Sequence, residues 1–273
     1  MDKEMLKKIK LVCSDVDGTL VDEGKGGLNP EYYKEIKRLK EKGILFAVVS
    51  GRSYEAASPL FGPVIDDIIF INDNGAVLRK KGKIIKAHSL ETELVKEIIR
   101  DLKEELKEVT YISSLTGSYA YGPNEEFCRL LREDFHLDVR KLDNMPESIP
   151  LDAGVMSLGF FDPKDAEEAV GKAFIEKWNA HEKITALPGG KYWFNILQKN
   201  IDKGVALKEL MEMYGLKDEE VIAVGDNMND LGMLTSITNS VAIGNARDEV
   251  KAVCKYVADT STNDGVLQIL RQL

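Results

Sequence analysis

Ile9-Lys10-Leu11-Val12-Cys13-Ser14-Asp15-Val16-Asp17-Gly18-Thr19-Leu20 is the stretch on which the fold turns. Its first half is a short apolar run, and it breaks directly into Asp, Gly and Thr. A run of this kind reads as a buried parallel strand whose carboxyl end opens into a loop. Open α/β sheets build their ligand crevices at those carboxyl ends. Asp15 and Asp17 therefore stand where chemistry is expected. Similar runs recur at residues 44–50, 68–72, 221–224 and 241–243.

Between the first two runs the residues spell a helix. Asn29 serves as N-cap, Pro30 takes the first helical position, Tyr33, Ile36 and Leu39 fall at helical spacing, and Gly43 stops the helix. Strand, helix and strand in this order give parallel pairing through a right-handed crossover. The middle of the chain reads differently. A long amphipathic helix is expected over residues 91–106, then an aromatic alternating stretch over 111–121, a helix over 125–135, a strand over 155–161, a helix over 163–181 and a strand over 192–197. Residues 81–192 are accordingly read as an inserted domain with its own sheet. Residues 1–80 and 193–273 are read as the core.

Four segments at four strand ends carry the chemistry. Asp15 and Asp17 offer a covalent nucleophile and a general acid/base two residues apart. Ser50-Gly51-Arg52 ends the second run and opens a helical stretch, so a hydroxyl and backbone N–H groups would face the same crevice. Asp202 caps the helix that Lys203-Gly204 begins. Gly225-Asp226-Asn227-Met228-Asn229-Asp230 follows the run at 221–224. Any of these alone could be a loop or a solvated surface feature. Together they gather Asp15, Asp17, Asp226 and Asp230, and two carboxylates about 4 Å apart repel by roughly 4 kcal/mol at an effective dielectric of about 20. A cation is required, and an all-oxygen donor set with few carboxylates suits Mg²⁺. Lys203 adds a positive charge for phosphoryl oxygens.

These residues are recognisable as a set. Asp15-Val16-Asp17-Gly18-Thr19-Leu20, Ser50-Gly51-Arg52, Lys203-Gly204 and Gly225-Asp226 with Asn229-Asp230 resemble, in order, the four motifs of the haloacid dehalogenase superfamily. Asn72-Asp73-Asn74-Gly75-Ala76, the run Asp202 to Leu207, and Asn263-Asp264-Gly265-Val266 resemble its Cof-type hydrolases with a type IIB cap. The resemblance implies a Rossmann-like α/β core with an inserted, substrate-selecting α/β cap. It also implies roles: Asp15 as nucleophile and Mg²⁺ ligand, Asp17 as acid/base and ligand through its backbone carbonyl, and Asp226 as third ligand. Val16, Ser50, Gly51, Lys203 and Asn229 would hold the phosphate, with Asp230 orienting Lys203 or a metal-bound water. Ser50 stands where this family more often has Thr, and the hydroxyl survives. An Asp at position 17 implies a short-lived aspartyl-phosphate, hence a phosphatase acting on a small phosphorylated metabolite such as a sugar phosphate. A phosphotransferase or mutase using the same intermediate stays open, whereas a non-enzymatic sensor would require a disabled constellation, and none of the expected side chains is missing.

Composition excludes other classes. The chain has 273 residues, 44% of them hydrophobic, and a net charge of −9, which disfavours sequence-independent binding to nucleic acid or anionic membrane. No apolar run is long enough to cross a bilayer, and residues 1–10 lack the features of a signal peptide, so a soluble cytoplasmic protein is expected. Cys13, Cys128 and Cys254 are scattered in apolar surroundings and read as buried, inert thiols. His88, His136 and His181 lack metal-ligand spacing. Tyr119, Tyr121, Tyr192 and Trp193 read as core aromatics of the insert. Gly24-Lys25-Gly26 only superficially suggests a P-loop. Oligomeric state is not readable.

Overall fold

A computed structural model describes residues 2–22, 27–102, 106, 109–133, 137–143, 145–150, 152, 154–161, 169–190 and 192–273. The chain divides into two compact units, Met1–Lys86 with Asp202–Leu273, and Ala87–Ile201. Each has its own apolar core.

The larger unit is built on an eight-stranded sheet. In chain order its strands are β1 (Leu11–Ser14), β2 (Leu45–Val49), β3 (Ile69–Asn72), β4 (Val77–Lys80) and β5 (Lys83–Ala87), joined after the insert by β12 (Val221–Gly225), β13 (Asn239–Ala242) and β14 (Tyr256–Val257). The spatial order is β14-β13-β12-β1-β2-β3-β4-β5, parallel from β14 through β3 and antiparallel from β3 to β4. Every residue of β1 and β12 is buried, which is why these strands read as unbroken apolar runs. Chain order reverses between β1 and β12, so the carboxyl ends of those strands flank the switch point where such sheets bind ligands.

The first crossover helix spans Glu31–Glu41. Asn29 caps it, with Oδ1 accepting from the Glu31 N–H at 3.0 Å. The buried stripe is Tyr32, Ile36 and Leu39; Tyr33 is half-buried, and its hydroxyl donates to the Leu60 carbonyl oxygen. The expected stripe was thus one residue off at its start. Both tyrosines pack against the core of the larger unit, Tyr32 inside it and Tyr33 at its margin.

The smaller unit carries β6 (Thr110–Ser114), β7 (Gly117–Tyr121), β8 (Arg140–Leu142), β9 (Val155–Phe161), β10 (Ile184–Gly190) and β11 (Trp193–Gln198), in the order β10-β11-β9-β6-β7-β8. The aromatic stretch folds as the β6–β7 hairpin. Helices cover Thr92–Arg100, Glu125–Glu133 and Ala169–Asn179. The first ends at Arg100 with Asp101 as C-cap; of the rest of its expected span, residues 103–105 lie outside the described residues, Leu106 is helical, and Leu102 and Leu106 are buried. The expected ends of the other two, at 134–135 and 163–168, lie outside the described residues, as do His136 and Gly24 to Gly26. Tyr119 and Tyr121 are core residues, whereas Tyr192 is exposed.

The helix-and-strand pattern of the sequence assigns residues 81–86 to the insert and 193–201 to the core, and the structure divides the chain at Ala87 and Ile201 instead. The β4–β5 hairpin extends the large sheet, with Lys86 Nζ on β5 paired to Glu209 Oε1 at 2.6 Å. Strand β11 pairs with β9 and β10 of the small sheet.

The helix Lys203–Tyr214 crosses closely over the short helix Leu231–Thr235. A Cβ on Gly204 would lie 2.2 Å from the Gly232 carbonyl oxygen, a backbone atom that cannot swing aside. Gly204→Ala is expected to lose about 1–3 kcal/mol of stability by overpacking, read as a lower urea midpoint. Gly62→Ala, where a Cβ meets nothing within 4 Å, should stay within about 0.5 kcal/mol of the parent.

Candidate active site

Strands β1 and β12 run in parallel register, Ser14 opposite Val224, so Asp15 and Asp226 leave the sheet side by side. The Asp15 N–H donates to the Val224 carbonyl oxygen at 2.9 Å and ties the two strand ends. Beyond Asp15 the chain turns at once: the Val16 carbonyl accepts from Leu20 at 2.9 Å and Val21 at 3.0 Å, and Gly18 takes φ +79°. A side chain there would strain the backbone and place its Cβ 2.5 Å from Asp226 Oδ2. Glycine is what lets the Asp226 carboxylate approach this loop. Thr19 then donates its hydroxyl to Asp226 Oδ1 at 2.6 Å.

Lys203 enters from a third element. Asp202 caps its helix by accepting from the Val205 N–H at 2.8 Å, which fixes Lys203 in the first turn. The Lys203 ammonium is 1% exposed and lies 2.6 Å from both Asp15 Oδ1 and Asp230 Oδ1. The other Asp230 oxygen accepts from the N–H groups of Asp226 at 2.9 Å and Asn227 at 3.0 Å. Asp230 therefore binds the lysine with one oxygen and shapes the loop that carries Asp226 with the other. Gly225 makes room for it, since a Cβ there would meet the Asp230 carboxyl carbon at 2.7 Å.

Asp17 has a different setting. Arg52 grips it with both arms, Nε to Oδ2 at 2.9 Å and Nη2 to Oδ1 at 2.5 Å, and the pair is partly open to solvent. Ser50 is buried, and its Oγ accepts from the Arg52 N–H at 3.0 Å. Asn229 Nδ2 donates to Asn74 Oδ1 at 3.0 Å, and the Asn74 N–H donates to the Ser50 carbonyl oxygen at 3.0 Å. Asn74 Oδ1 would also lie 3.1 Å from a Cβ on Gly51. Direct contacts thus join Asp15, Lys203, Asp226 and Asp230 in one group. Ser50, Gly51 and Asn229 are gathered around Asn74, and Asp17 is held by Arg52.

Thr19, Arg52 and Asn74 had been assigned no role from the sequence. Each sits inside a stretch that the motifs singled out, yet only the fold reveals its partner. Asn74 also takes φ +51°, a conformation that Asn tolerates better than most residues.

The electrostatics are lopsided. Burial pushes the Asp15 carboxyl well above the usual range, Asp230 adds to this, and Lys203 opposes it. Burial works against the Lys203 charge, but Asp15 and Asp230 outweigh it and hold the ammonium above its ordinary pKa. Three buried carboxylates, Asp15, Asp226 and Asp230, offer oxygens within 4.8 Å of one another, and this group contains one lysine. An oxygen-only donor set short of positive charge fits a hard divalent cation. Both Asp230 oxygens accept hydrogen bonds, one from Lys203 and the other from the N–H groups of Asp226 and Asn227.

The remaining candidates fall away from this cluster. Cys13 and Cys128 are buried, and burial pushes the Cys13 thiol far up, as suits an inert thiol. Cys254 is half-buried rather than enclosed because the strand after it, β14, is the edge of the sheet. All three are free. No helix among the described residues is long and apolar enough to cross a membrane.

Among the described residues, Lys203 is the cation that pairs with both enclosed carboxylates. Lys203→Met should therefore destabilise the protein by about 3–5 kcal/mol, because the remaining charges stay buried and unpaired. Urea unfolding in the presence of a chelator measures this, and a loss below about 1 kcal/mol would show that the pair is not structural.

Comparison with known proteins agrees with this geometry. The family model for haloacid dehalogenase-like hydrolases matches residues 12–270. Phosphatase YwpJ of Bacillus subtilis (strain 168) is 26% identical over 288 residues, covering 97% of this chain and 100% of its own. The 5-amino-6-(5-phospho-D-ribitylamino)uracil phosphatase YbjI of Escherichia coli (strain K12) is 24% identical, covering 96% and 95%. A crystal structure from Eubacterium rectale is 32% identical and superposes with a TM-score of 0.83 over 97% of this chain and 98% of that one. With the model spanning nearly the whole chain and the motif residues meeting at the ends of β1 and β12, this protein belongs to the haloacid dehalogenase-like hydrolases.

Proposed function

We propose that this chain is a Mg²⁺-dependent phosphatase that hydrolyses small phosphorylated metabolites through a phosphoryl group carried on Asp15. The observation that carries the reading is the buried Asp15–Lys203–Asp230 chain beside Asp226 at the switch point of the sheet. Relatives named as phosphatases support the coarser part, hydrolysis of a phosphate ester. The substrates in their names differ, from a phosphoribitylamino pyrimidine to phosphoglycolate, and share the phosphate. The smaller unit is assigned substrate selection on the family resemblance.

Two carboxylates in different settings support two roles. An Asp15 oxygen attacks phosphorus, and the bond from phosphorus to the ester oxygen breaks. The leaving oxygen takes the proton of the Asp17 carboxyl group. Asp17, now a carboxylate, takes a proton from water as that water attacks the phosphoryl-aspartate, which frees Asp15 and inorganic phosphate. Lys203, the Ser50 hydroxyl, the Gly51 N–H, Asn229 and the Val16 backbone orient the phosphoryl oxygens. Mg²⁺ held by Asp15, Asp226 and the Asp17 carbonyl would neutralise charge that develops on those oxygens. Asp230 keeps Lys203 in place. Three free cysteines suit a reducing cytoplasm.

Asp15→Asn should abolish release of phosphate from p-nitrophenyl phosphate without loss of the folded state by circular dichroism. The parent should lose activity with a chelator and regain it with Mg²⁺. Wild-type turnover by Asp15→Asn would remove the nucleophile assignment, and activity untouched by chelation would remove the metal.

Arg52 orients Asp17 but touches no part of the ester in this reading. Arg52→Ala should lower kcat for an alkyl phosphate, whose leaving oxygen needs a proton, about tenfold or more, and affect p-nitrophenyl phosphate much less. Arg52→Lys should recover part of the loss. Equal losses on both substrates would mean that Arg52 does not act through Asp17.

A further inference from the structure

We propose that the amino-terminal ends of β1, β2 and β12 form a second anion site, which takes a compact polyanion of the oligophosphate class. A shallow, solvent-open depression of about 450 Å³ lies there. Lys7, Lys8, Lys10, Lys42 and Lys217 line it. Against these five stand Glu219 and Glu220 in the lining and Glu4, which pairs with Lys7, an excess of two positive charges on a chain whose net charge is −9.

Part of this charge is already engaged. Lys7 pairs with Glu4 at 2.7 Å, Lys10 with Glu220 at 2.5 Å, and Lys42 donates to the Leu273 carbonyl oxygen at 2.7 Å. Lys8 and Lys217 make no ion pair within 4 Å among the described residues, although Glu220, which accepts from the Lys217 N–H at 2.9 Å, also lies in the field of the Lys217 charge. The floor beneath them is rigid, because the Lys10 N–H donates to the Glu220 carbonyl oxygen and the Lys10 carbonyl accepts from the Leu45 N–H, each at 2.8 Å. Those two bonds tie together the starts of the three central strands. Ile9, buried at 3% exposure, anchors the approach. Lysines gathered over a fixed concavity differ from lysines spread over a convex face, since one multiply charged ligand can meet several of them without reorganising the backbone.

The ligand is small for an electrostatic reason. At physiological ionic strength charges are screened over about 8 Å. A compact oligophosphate in the depression responds to the lysines around it. An extended nucleic acid would also lie along the rest of an acidic surface. The depression is separate from the crevice, for Lys10 and Asp15 stand at opposite ends of β1, roughly 17 Å apart by strand geometry.

Calorimetric titration of the full chain with tripolyphosphate in a chelator, at physiological salt, tests the site without relying on turnover. One equivalent should bind. The double variant Lys8→Ala, Lys217→Ala should bind at least tenfold more weakly and hydrolyse p-nitrophenyl phosphate like the parent. The double variant Lys34→Ala, Lys37→Ala removes equal charge from an exposed helix face elsewhere and should bind like the parent. Absence of binding to the parent, unchanged binding to the first double variant, or equal loss in both would overturn the proposal. None of these outcomes bears on the Asp15 chemistry, which is read in the presence of Mg²⁺.

Discussion

The buried ammonium of Lys203, shared between Asp15 and Asp230, is the interaction on which the rest of the site depends. Two carboxylates cannot be enclosed side by side unless something positive comes with them, and a lysine removed from water needs such partners in return. The sheet exists in a form that satisfies both. β1 delivers Asp15, β12 delivers the loop to Asp230, and the helix that starts at Asp202 delivers the lysine from the far side of the insert. Three chain segments distant in sequence are locked by one nitrogen atom.

The glycines around this nitrogen follow from the same constraint. Gly204 lets the lysine's helix approach Gly232, Gly225 makes room for the Asp230 carboxyl, and Gly18 admits Asp226 to the first loop. Each removes a side chain where a carboxylate or a backbone must come close. The site is therefore a packing arrangement as much as a charge arrangement. Its deficit of positive charge persists after Lys203 is counted, and that deficit is what makes a divalent cation chemically appropriate there.

Asp15 and Asp17 illustrate how position in a fold separates two identical side chains. One is buried and held by an ammonium; the other is partly open and gripped at both oxygens by a guanidinium. At the other end of the same strands lysines outnumber the carboxylates, whereas the crevice end has the reverse balance. A net charge of −9 conceals this polarity entirely.

The sequence by itself determined where the buried core strands β1, β2, β3, β12 and β13 lie along the chain, the carboxylates beyond β1 and β12, and the lysine that accompanies them, because parallel buried strands leave unbroken apolar runs and loops at their ends leave Asp and Gly. It could not determine which partner each side chain takes. Thr19 on Asp226, Arg52 on Asp17 and Asn74 between Ser50 and Asn229 are pairings between segments separated by up to 207 residues, and local periodicity carries no signal for them. The limits of the two units were likewise set by pairing: the β4–β5 hairpin joins the large sheet and β11 the small one, although the residues of both would suit either. Hydrophobic pattern fixes what a segment becomes, while strand register and the need to partner buried charge fix what it meets.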